Sequence, residues 1–283
     1  MLSAAMLEAA RSLLFVPGSD ERKLRRALAA GADAVVADLE DGVAPGEKAA
    51  ARELVPRVLA DVETTALRLL RVNAADTSHF ADDVTALAGT PLDAVVLPKA
   101  SPGALDALAA ALDRPLPVVA IVETAQALRD VHELAARPPV AALLLGALDL
   151  GVELALEPRE DRHELVFART AVVVASAAAG IRRPFDGVHV ELHDPAGLED
   201  ECRYARSLGF GGKACIHPEQ VEIVNRVFLP SGEEVERARR VVDAYEQAVR
   251  EGRGAIALEG EMIDLPVVER ARRMLAVAER SRE

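Results

Sequence analysis

Tryptophan is absent from this sequence, and aromatic residues of all kinds make up only 3% of it. Such a chain has few platforms on which bases can stack, and its core is expected to be built from Ala, Val, Leu and Ile. Cysteine is nearly as scarce. Cys202 and Cys215 are the only two, too few for a disulfide framework, so a reducing, cytoplasmic setting is expected. Positive charge is in the minority: 33 Lys and Arg against 46 Asp and Glu give a formal net charge of −13. That balance argues against nonspecific nucleic-acid binding and against adhesion to anionic membranes. It leaves room for a local basic patch that holds a phosphorylated small molecule. Long apolar runs are missing too. The most apolar later stretch, Val140 to Leu156, is interrupted by Asp149 and Glu153, so no segment is expected to span a bilayer. The N-terminus carries Glu8 and no Lys or Arg before Arg11, the reverse of a secretory signal. The chain is expected to be soluble and cytoplasmic.

What is present is a globular mixture, 283 residues with 51% hydrophobic and 28% charged, arranged in a rhythm. Short apolar runs occur at Ser12–Val16, Ala34–Leu39, Leu67–Val72, Ala94–Leu97, Val118–Val122, Ala141–Leu145, Phe185–Val190 and Gly212–Ile216. Such runs read as strands buried on both faces. Helical patterns lie between them, at Asp20–Ala30, Glu47–Leu59, Ser78–Leu87, Gly103–Leu112, Ala125–Ala136, Asp161–Ala179, Asp194–Leu208 and Glu219–Val227. Strand and helix alternating eight times predict an α/β fold, a (β/α)₈ TIM barrel. The competing doubly wound sheet normally carries a Gly-rich turn after its first strand. Here that turn reads Pro17-Gly18-Ser19-Asp20, without the dinucleotide fingerprint. The barrel is expected to occupy residues 1–229. Residues 230–283 read as a helical arm, with helices over Glu233–Val249 and Val267–Glu279, a break at Gly252–Gly254 and a short extended piece at Ala255–Leu258. A closed barrel has no interior left for such an arm, so it is expected to pack on a neighbouring subunit.

In a barrel of this kind chemistry sits where strands end. The ends here are rich in ionisable groups: Asp38-Leu-Glu-Asp41 after the second strand, Arg71 after the third, Lys99 after the fourth, Glu123 after the fifth, Asp149 after the sixth and His217 after the eighth. Glu123 and Asp149 lie one βα unit apart, hence on adjacent strands. Two carboxylates there repel unless a cation sits between them, and hard oxygen ligands suit Mg²⁺. The plainer reading is that Glu123 pairs with an arginine and Asp149 caps the next helix. Arg71 at the end of a buried strand offers a fork for a carboxylate or phosphate, or else pairs with the acidic cluster after the second strand, and both can hold together. Arg22 and Arg26, four apart on the first helix, form with Lys23 and Arg25 the densest basic stretch of the chain. It reads either as a landing site for phosphates or as a solvated face balanced by Asp20 and Glu21. His189-Val-Glu-Leu-His193 resembles a zinc motif only loosely, because its Glu is misplaced and the stretch reads as strand and turn. Cys215 beside His217 reads as a buried thiol next to a loop histidine rather than a nucleophile.

Several motifs occur in order: Arg11-Ser-Leu-Leu-Phe-Val-Pro-Gly18, Asp38-Leu-Glu-Asp-Gly-Val43, Leu70-Arg-Val-Asn73, Leu97-Pro-Lys99, Ile121-Val-Glu-Thr-Ala125, Cys215-Ile-His-Pro218 and Gly260-Glu-Met-Ile-Asp-Leu-Pro266. Together they resemble the citrate lyase β-subunit family, within the HpcH/HpaI aldolase superfamily. The resemblance implies a homotrimer, or a dimer of trimers, and Mg²⁺-dependent carbon–carbon bond chemistry on CoA or acyl-carrier thioesters. It makes Glu123 and Asp149 the metal ligands, with Glu123 also near the substrate. Arg71 becomes the arginine for the substrate carboxylate. Phe15, Arg22, Arg26 and the backbone near Ala214-Cys215 become CoA contacts. Asp264 becomes a catalytic acid that acts across the subunit boundary. Leu148 stands where the family often has an acidic residue.

On this reading the substrate is a 3-hydroxy-3-carboxyacyl thioester of the citryl-, citramalyl- or malyl-CoA type. It is cleaved to, or made from, an acyl-CoA and an α-keto acid. The proton transfer falls to Asp264 or to a metal-bound water. Two other functions stay open: a β subunit of a multi-subunit citrate lyase acting on an acyl-carrier thioester, and a non-catalytic acyl-CoA-binding assembly protein.

Overall fold

The eight apolar runs become eight strands of one closed parallel barrel in the computed structural model, which describes residues 2–159 and 162–280. The strands are β1 (Ser12–Pro17), β2 (Ala34–Asp38), β3 (Leu67–Arg71), β4 (Ala94–Leu97), β5 (Val118–Val122), β6 (Val140–Leu145), β7 (Phe185–Asp186) and β8 (Gly212–Cys215), and β1 closes on β8. Each strand leads into at least one helix, so the chain is the (β/α)₈ barrel its rhythm predicts. The chain divides into two compact units, Met1–Phe228 and Leu229–Glu283.

Side chains alternate across a strand, and here the alternation sorts two cores. Leu13, Ala34, Val36, Leu67, Leu69, Ala94, Val96, Val119, Ile121, Ala142, Leu144, Phe185 and Ala214 pack with one another inside the barrel. Their neighbours one residue along, such as Leu14, Val35, Leu70, Val95, Ala120 and Leu143, pack outward against the helices. Small residues dominate the inner layer, as a chain poor in aromatics requires. Phe185 is the one large ring within it, fully buried, with the Arg182 guanidinium 3.5 Å from its centroid.

Differences from the expected elements are local. A helix over Leu2–Ala9 precedes β1, and Leu7 and Ala10 join the inner core. The helix expected over Ala125–Ala136 is two helices, Ala125–Arg129 and Val131–Ala136, meeting at Asp130. A further helix, Ala147–Glu153, follows β6 directly and places Asp149 in a first helical turn rather than on a strand. The long helix after it is described from Val166 to Ala179, and its expected start at Asp161 lies outside the described residues. The seventh strand stops at Asp186, well short of Val190. None of the described helices is long and apolar enough to cross a membrane.

The second unit pairs two helices, Gly232–Arg250 and Leu265–Arg280, around Ala238, Val241, Ile263, Val268 and Ala271. Between them runs a two-stranded antiparallel hairpin, β9 (Ile256–Leu258) and β10 (Glu261–Ile263). Its turn residues Glu259 and Gly260 have φ of 51° and 85°. Both are left-handed, as a two-residue turn matched to strand twist requires.

Truncating the inner layer's one large ring tests this packing. Phe185→Ala should cost about 3–5 kcal/mol in urea unfolding, and the volume-sparing Phe185→Leu about 1–1.5 kcal/mol. Equal, small penalties for both would mean that the interior is not packed as described.

Candidate active site

The inward-facing series on four strands run past the apolar layer, and three of them end in polar groups. On β2 the series is Ala34, Val36, Asp38; on β3 it is Leu67, Leu69, Arg71; on β5 it is Val119, Ile121 and then Glu123; on β1 it is Leu13 and Phe15. Alternation therefore puts Asp38, Arg71, Glu123 and Phe15 together over the C-terminal end of the barrel. Asp38 and Arg71 are also register partners across β2 and β3.

Their side chains meet edge to edge. Arg71 Nε donates to Asp38 Oδ1 at 2.7 Å and Nη2 to Oδ2 at 2.6 Å. Nη1 lies 3.1 Å from Glu40 Oε2, and the guanidinium sits 5.3 Å from the Phe15 ring centroid. Burial works against the Arg71 charge, but the hydrogen bonds and attraction of Asp38, then Glu40 and Asp41, outweigh it and raise its pKa. The fork expected to meet a ligand thus already holds Asp38 on its Nε side. One N–H on each terminal nitrogen is left for anything else.

The loop that carries the acids is itself tied down. Asp38 accepts backbone N–H bonds from Glu40 and Gly42, both at 2.8 Å. A Cβ on Gly42 would stand 2.4 Å from Asp38 Oδ2, so only glycine fits there. Lys48 is buried, and its Nζ donates to Leu39 O (2.7 Å), Glu40 O (2.8 Å) and Asn73 Oδ1 (2.7 Å). Asn73 in turn donates through Nδ2 to Leu39 O and to the buried Asp83.

Across the barrel mouth the balance is reversed. Glu123 is 4% exposed, and its Oε1 accepts the Lys99 N–H at 2.6 Å from a backbone with φ of 45°. Neither Glu123 nor Asp149 makes an ion pair among the described residues. Burial pushes the Glu123 carboxyl up to about 7; the Lys99 N–H pulls it down, while the charges of Glu40 and Asp149 push it further up. Gly146 lets the next strand pass close: a Cβ there would lie 2.3 Å from Glu123 Cβ. A cavity of about 440 Å³ is lined by Phe15, Asp38, Arg71, Glu123, Leu148 and Asp149, among others. Two carboxylates without a cationic partner, facing one cavity, are a donor set that fits a hard divalent cation.

The remaining candidates divide. Arg25 pairs with Glu21 (2.9 Å) and Asp61 (2.7 Å), and Lys23 with Asp20 (3.5 Å). Arg22 and Arg26 are exposed and make no ion pair among the described residues. The basic stretch is therefore half a balanced surface and half a pair of unengaged arginines. His217 caps the helix Pro218–Val227, and Cys215 is fully buried with its thiol pKa raised by that burial. Asp264 belongs to the second unit, where its carboxylate accepts the Val267 N–H at 3.4 Å at the start of the last helix. Sequence reasoning missed the supporting roles of Lys48 and Lys99. It also missed a buried charge cluster in which Lys213 Nζ sits 3.0 Å from both Asp186 and Glu201, with Arg169 also on Asp186. Lys213 and Asp186 on neighbouring strands are register partners, a signal readable only once the barrel order is known.

A family model described as HpcH/HpaI aldolase/citrate lyase matches residues 11–218. A (3S)-malyl-CoA thioesterase of Cereibacter sphaeroides is 40% identical over 271 residues, 95% of this chain and 94% of that protein. The citrate lyase subunit beta of Escherichia coli is 35% identical over 298 residues, with 96% and 94% covered. Among solved structures, CitE from Mycobacterium tuberculosis in complex with magnesium, acetoacetate and coenzyme A matches with a TM-score of 0.83 at 38% identity. That match covers 96% of this chain and 99% of the other.

The raised Glu123 carboxyl has a consequence for the ion-free protein. Its folded value of about 7 lies above the ordinary 4.5, so folding favours the protonated acid. That contribution is whole below pH 4.5, is lost as pH rises to 7, and above 7 the buried charge costs roughly 3 kcal/mol at most. In the presence of EDTA, Glu123→Gln should therefore raise stability at pH 8 and leave it nearly unchanged at pH 4. A variant destabilised at pH 8 would contradict the uncompensated charge.

Proposed function

The chain belongs to the HpcH/HpaI aldolase/citrate lyase family, and we propose that it is a Mg²⁺-dependent carbon–carbon lyase or synthase. Its substrate is a 3-hydroxy-3-carboxyacyl thioester of CoA, and its products are an acyl-CoA and an α-keto acid. The observation that carries this reading is the two-sided cavity, with an Asp38-braced Arg71 on one wall and unpaired Glu123 and Asp149 on the other. The likeness to a CitE bound to magnesium, acetoacetate and coenzyme A supports the same assignment.

Glu123 and Asp149 would hold the metal, which when bound would supply Lewis-acid polarisation of the oxygen whose charge changes. Arg71 directs its two remaining terminal N–H groups at the substrate carboxylate, which Asp38 keeps in line and Phe15 flanks. Arg22 and Arg26, unengaged by any acid, are suited to the phosphates of CoA. In the cleavage direction a base removes the hydroxyl proton, and the C2–C3 bond breaks to leave the keto acid. The electron pair passes to the thioester enolate, which is then protonated at carbon. We assign the proton transfer to Asp264 supplied by a neighbouring subunit of a trimer. Met262 and Leu265 flank Asp264 and are exposed, at 70% and 52%, which favours a partner that covers them.

A thioesterase is the second reading, favoured by the name of the malyl-CoA relative. Mass spectrometry of malyl-, citramalyl- and citryl-CoA incubated with enzyme and Mg²⁺ separates the two. Lyase action gives a shortened acyl-CoA and a keto acid, whereas hydrolysis gives free CoA and the intact hydroxy acid. No conversion of any of the three, in either direction, would overturn the assignment.

Arg71→Lys keeps the charge and loses the planar fork. It should lower kcat/KM by about thirty- to a hundredfold, the equivalent of about 2–3 kcal/mol for charge-assisted bonds. A near-wild-type value would remove Arg71 from substrate recognition.

Shared sites make a distinct prediction. Asp264→Asn and Arg71→Ala subunits, each inactive alone, should regain part of the activity when mixed, since one mouth in a mixed oligomer receives both wild-type groups. No recovery after demonstrated subunit exchange would show that Asp264 does not act across subunits.

A further inference from the structure

The loop that leaves β7 gathers a second set of metal-ligating groups, separate from Glu123 and Asp149. His189, Glu191 and Asp194 each bring one ligand atom to within 4.8 Å of the others. This is not the His189–His193 spacing that loosely resembles a zinc motif, because His193 is not among the gathered ligands. Carboxylates that gather at a surface loop are ordinary. The histidine beside them is not: His189 is 6% exposed, and its Nε2 is buried without a hydrogen-bond partner.

The surroundings of the ring explain why this matters. His189 Nδ1 lies 3.2 Å from Glu201 Oε2, and Glu201 is anchored by Lys213 and Arg162, each at 3.0 Å. The contact is at ion-pair distance and is not a hydrogen bond, since Glu201 Oε2 also lacks a hydrogen-bond partner. A ring proton on Nδ1, beside that carboxylate, would leave the lone pair on Nε2 for a metal. Nε2 faces Asp194 Oδ2 at 3.5 Å. In that tautomer the lone pair would be set against a carboxylate oxygen, which is repulsive unless a cation lies between them.

Asp194 is prepared on its own side. Its Oδ1 is occupied in accepting the Gly197 N–H at 2.9 Å, which caps the helix Pro195–Leu208 and leaves Oδ2 free. A Cβ on residue 197 would stand 1.9 Å from that Oδ2, so glycine alone leaves the oxygen its place. Glu191 and Asp194 also line a cavity of about 250 Å³ through which an ion and its waters can enter.

We propose that His189, Glu191 and Asp194 form a binding site for a borderline divalent ion of the Zn²⁺ or Co²⁺ class. One imidazole and two carboxylates select such ions over Mg²⁺, whereas the all-oxygen pair Glu123 and Asp149 suits Mg²⁺. Gly187 and Val188, just before the site, line the active cavity, so the ion fastens the loop that forms part of its wall.

The test is Zn²⁺ binding to the full chain in saturating Mg²⁺, which occupies the oxygen site, with bound metal counted after dialysis. About one Zn²⁺ per chain should be retained. Glu191→Gln changes an exposed side chain and leaves the fold alone, and it should weaken binding at least about tenfold, as should His189→Asn. Circular dichroism confirms that each variant is folded. Nitrogen NMR of the wild-type ring should show a proton on Nδ1 only, with Nε2 shifting on addition of Zn²⁺. Absence of retained Zn²⁺, retention unaffected by both substitutions, or a ring protonated on both nitrogens and indifferent to Zn²⁺ would overturn the site. The last outcome would make His189 a charge clamp between Glu201 and Asp194.

Discussion

The ion pair between Arg71 and Asp38 is the interaction on which the rest of the site depends. It follows from barrel register, which sets the last residues of β2 and β3 side by side. A guanidinium at the top of an apolar barrel interior is tolerable only if its donors are met, and losing the partner of such a pair is costly, about 3–5 kcal/mol. The polar structure behind β2 serves that need. Gly42 gives Asp38 room, the N–H groups of Glu40 and Gly42 hold its oxygens, and Lys48 ties the carbonyls of Leu39 and Glu40 to Asn73. The wall of the cavity that carries positive charge is thus rigid and already neutralised before any ligand arrives.

The opposite wall is built on the contrary principle. Glu123 is placed by one backbone N–H and by the close pass of Gly146, and it faces other negative charges without an ion-pair partner among the described residues. In the proposed function that deficit receives a divalent ion, and the braced arginine receives an anion. A substrate that carries both a carboxylate and a metal-chelating oxygen satisfies the two walls at once. The proposed chemistry rests on this division of charge more than on any single residue.

Much of this is legible in the sequence because period-two alternation is simple. Leu67-x-Leu69-x-Arg71 and Val119-x-Ile121-x-Glu123 each state that a polar group ends an inward-facing row. The short apolar runs state the barrel. What is hidden depends on pairings distant in the chain or on local geometry. Asp149 reads as a strand-end residue but begins a helix, because that helix starts immediately after β6. A pairing of Arg71 with the acidic cluster is legible, but only the β2–β3 register shows that Asp38 takes its Nε side. Lys213 and Asp186 look like unrelated strand charges until β7 and β8 are neighbours. The N-terminal helix has little amphipathic contrast to announce it, and β10 is only three residues long.

On the proposed function, Asp38 and Arg71 act as one unit toward the substrate. A double-mutant cycle on kcat/KM, built from Asp38→Asn, Arg71→Lys and the pair, measures that directly. Strong non-additivity is expected, with the double variant little worse than the poorer single one and a coupling energy of about 1–3 kcal/mol. Penalties that simply add would contradict it, because they would mean that Arg71 finds its position without Asp38.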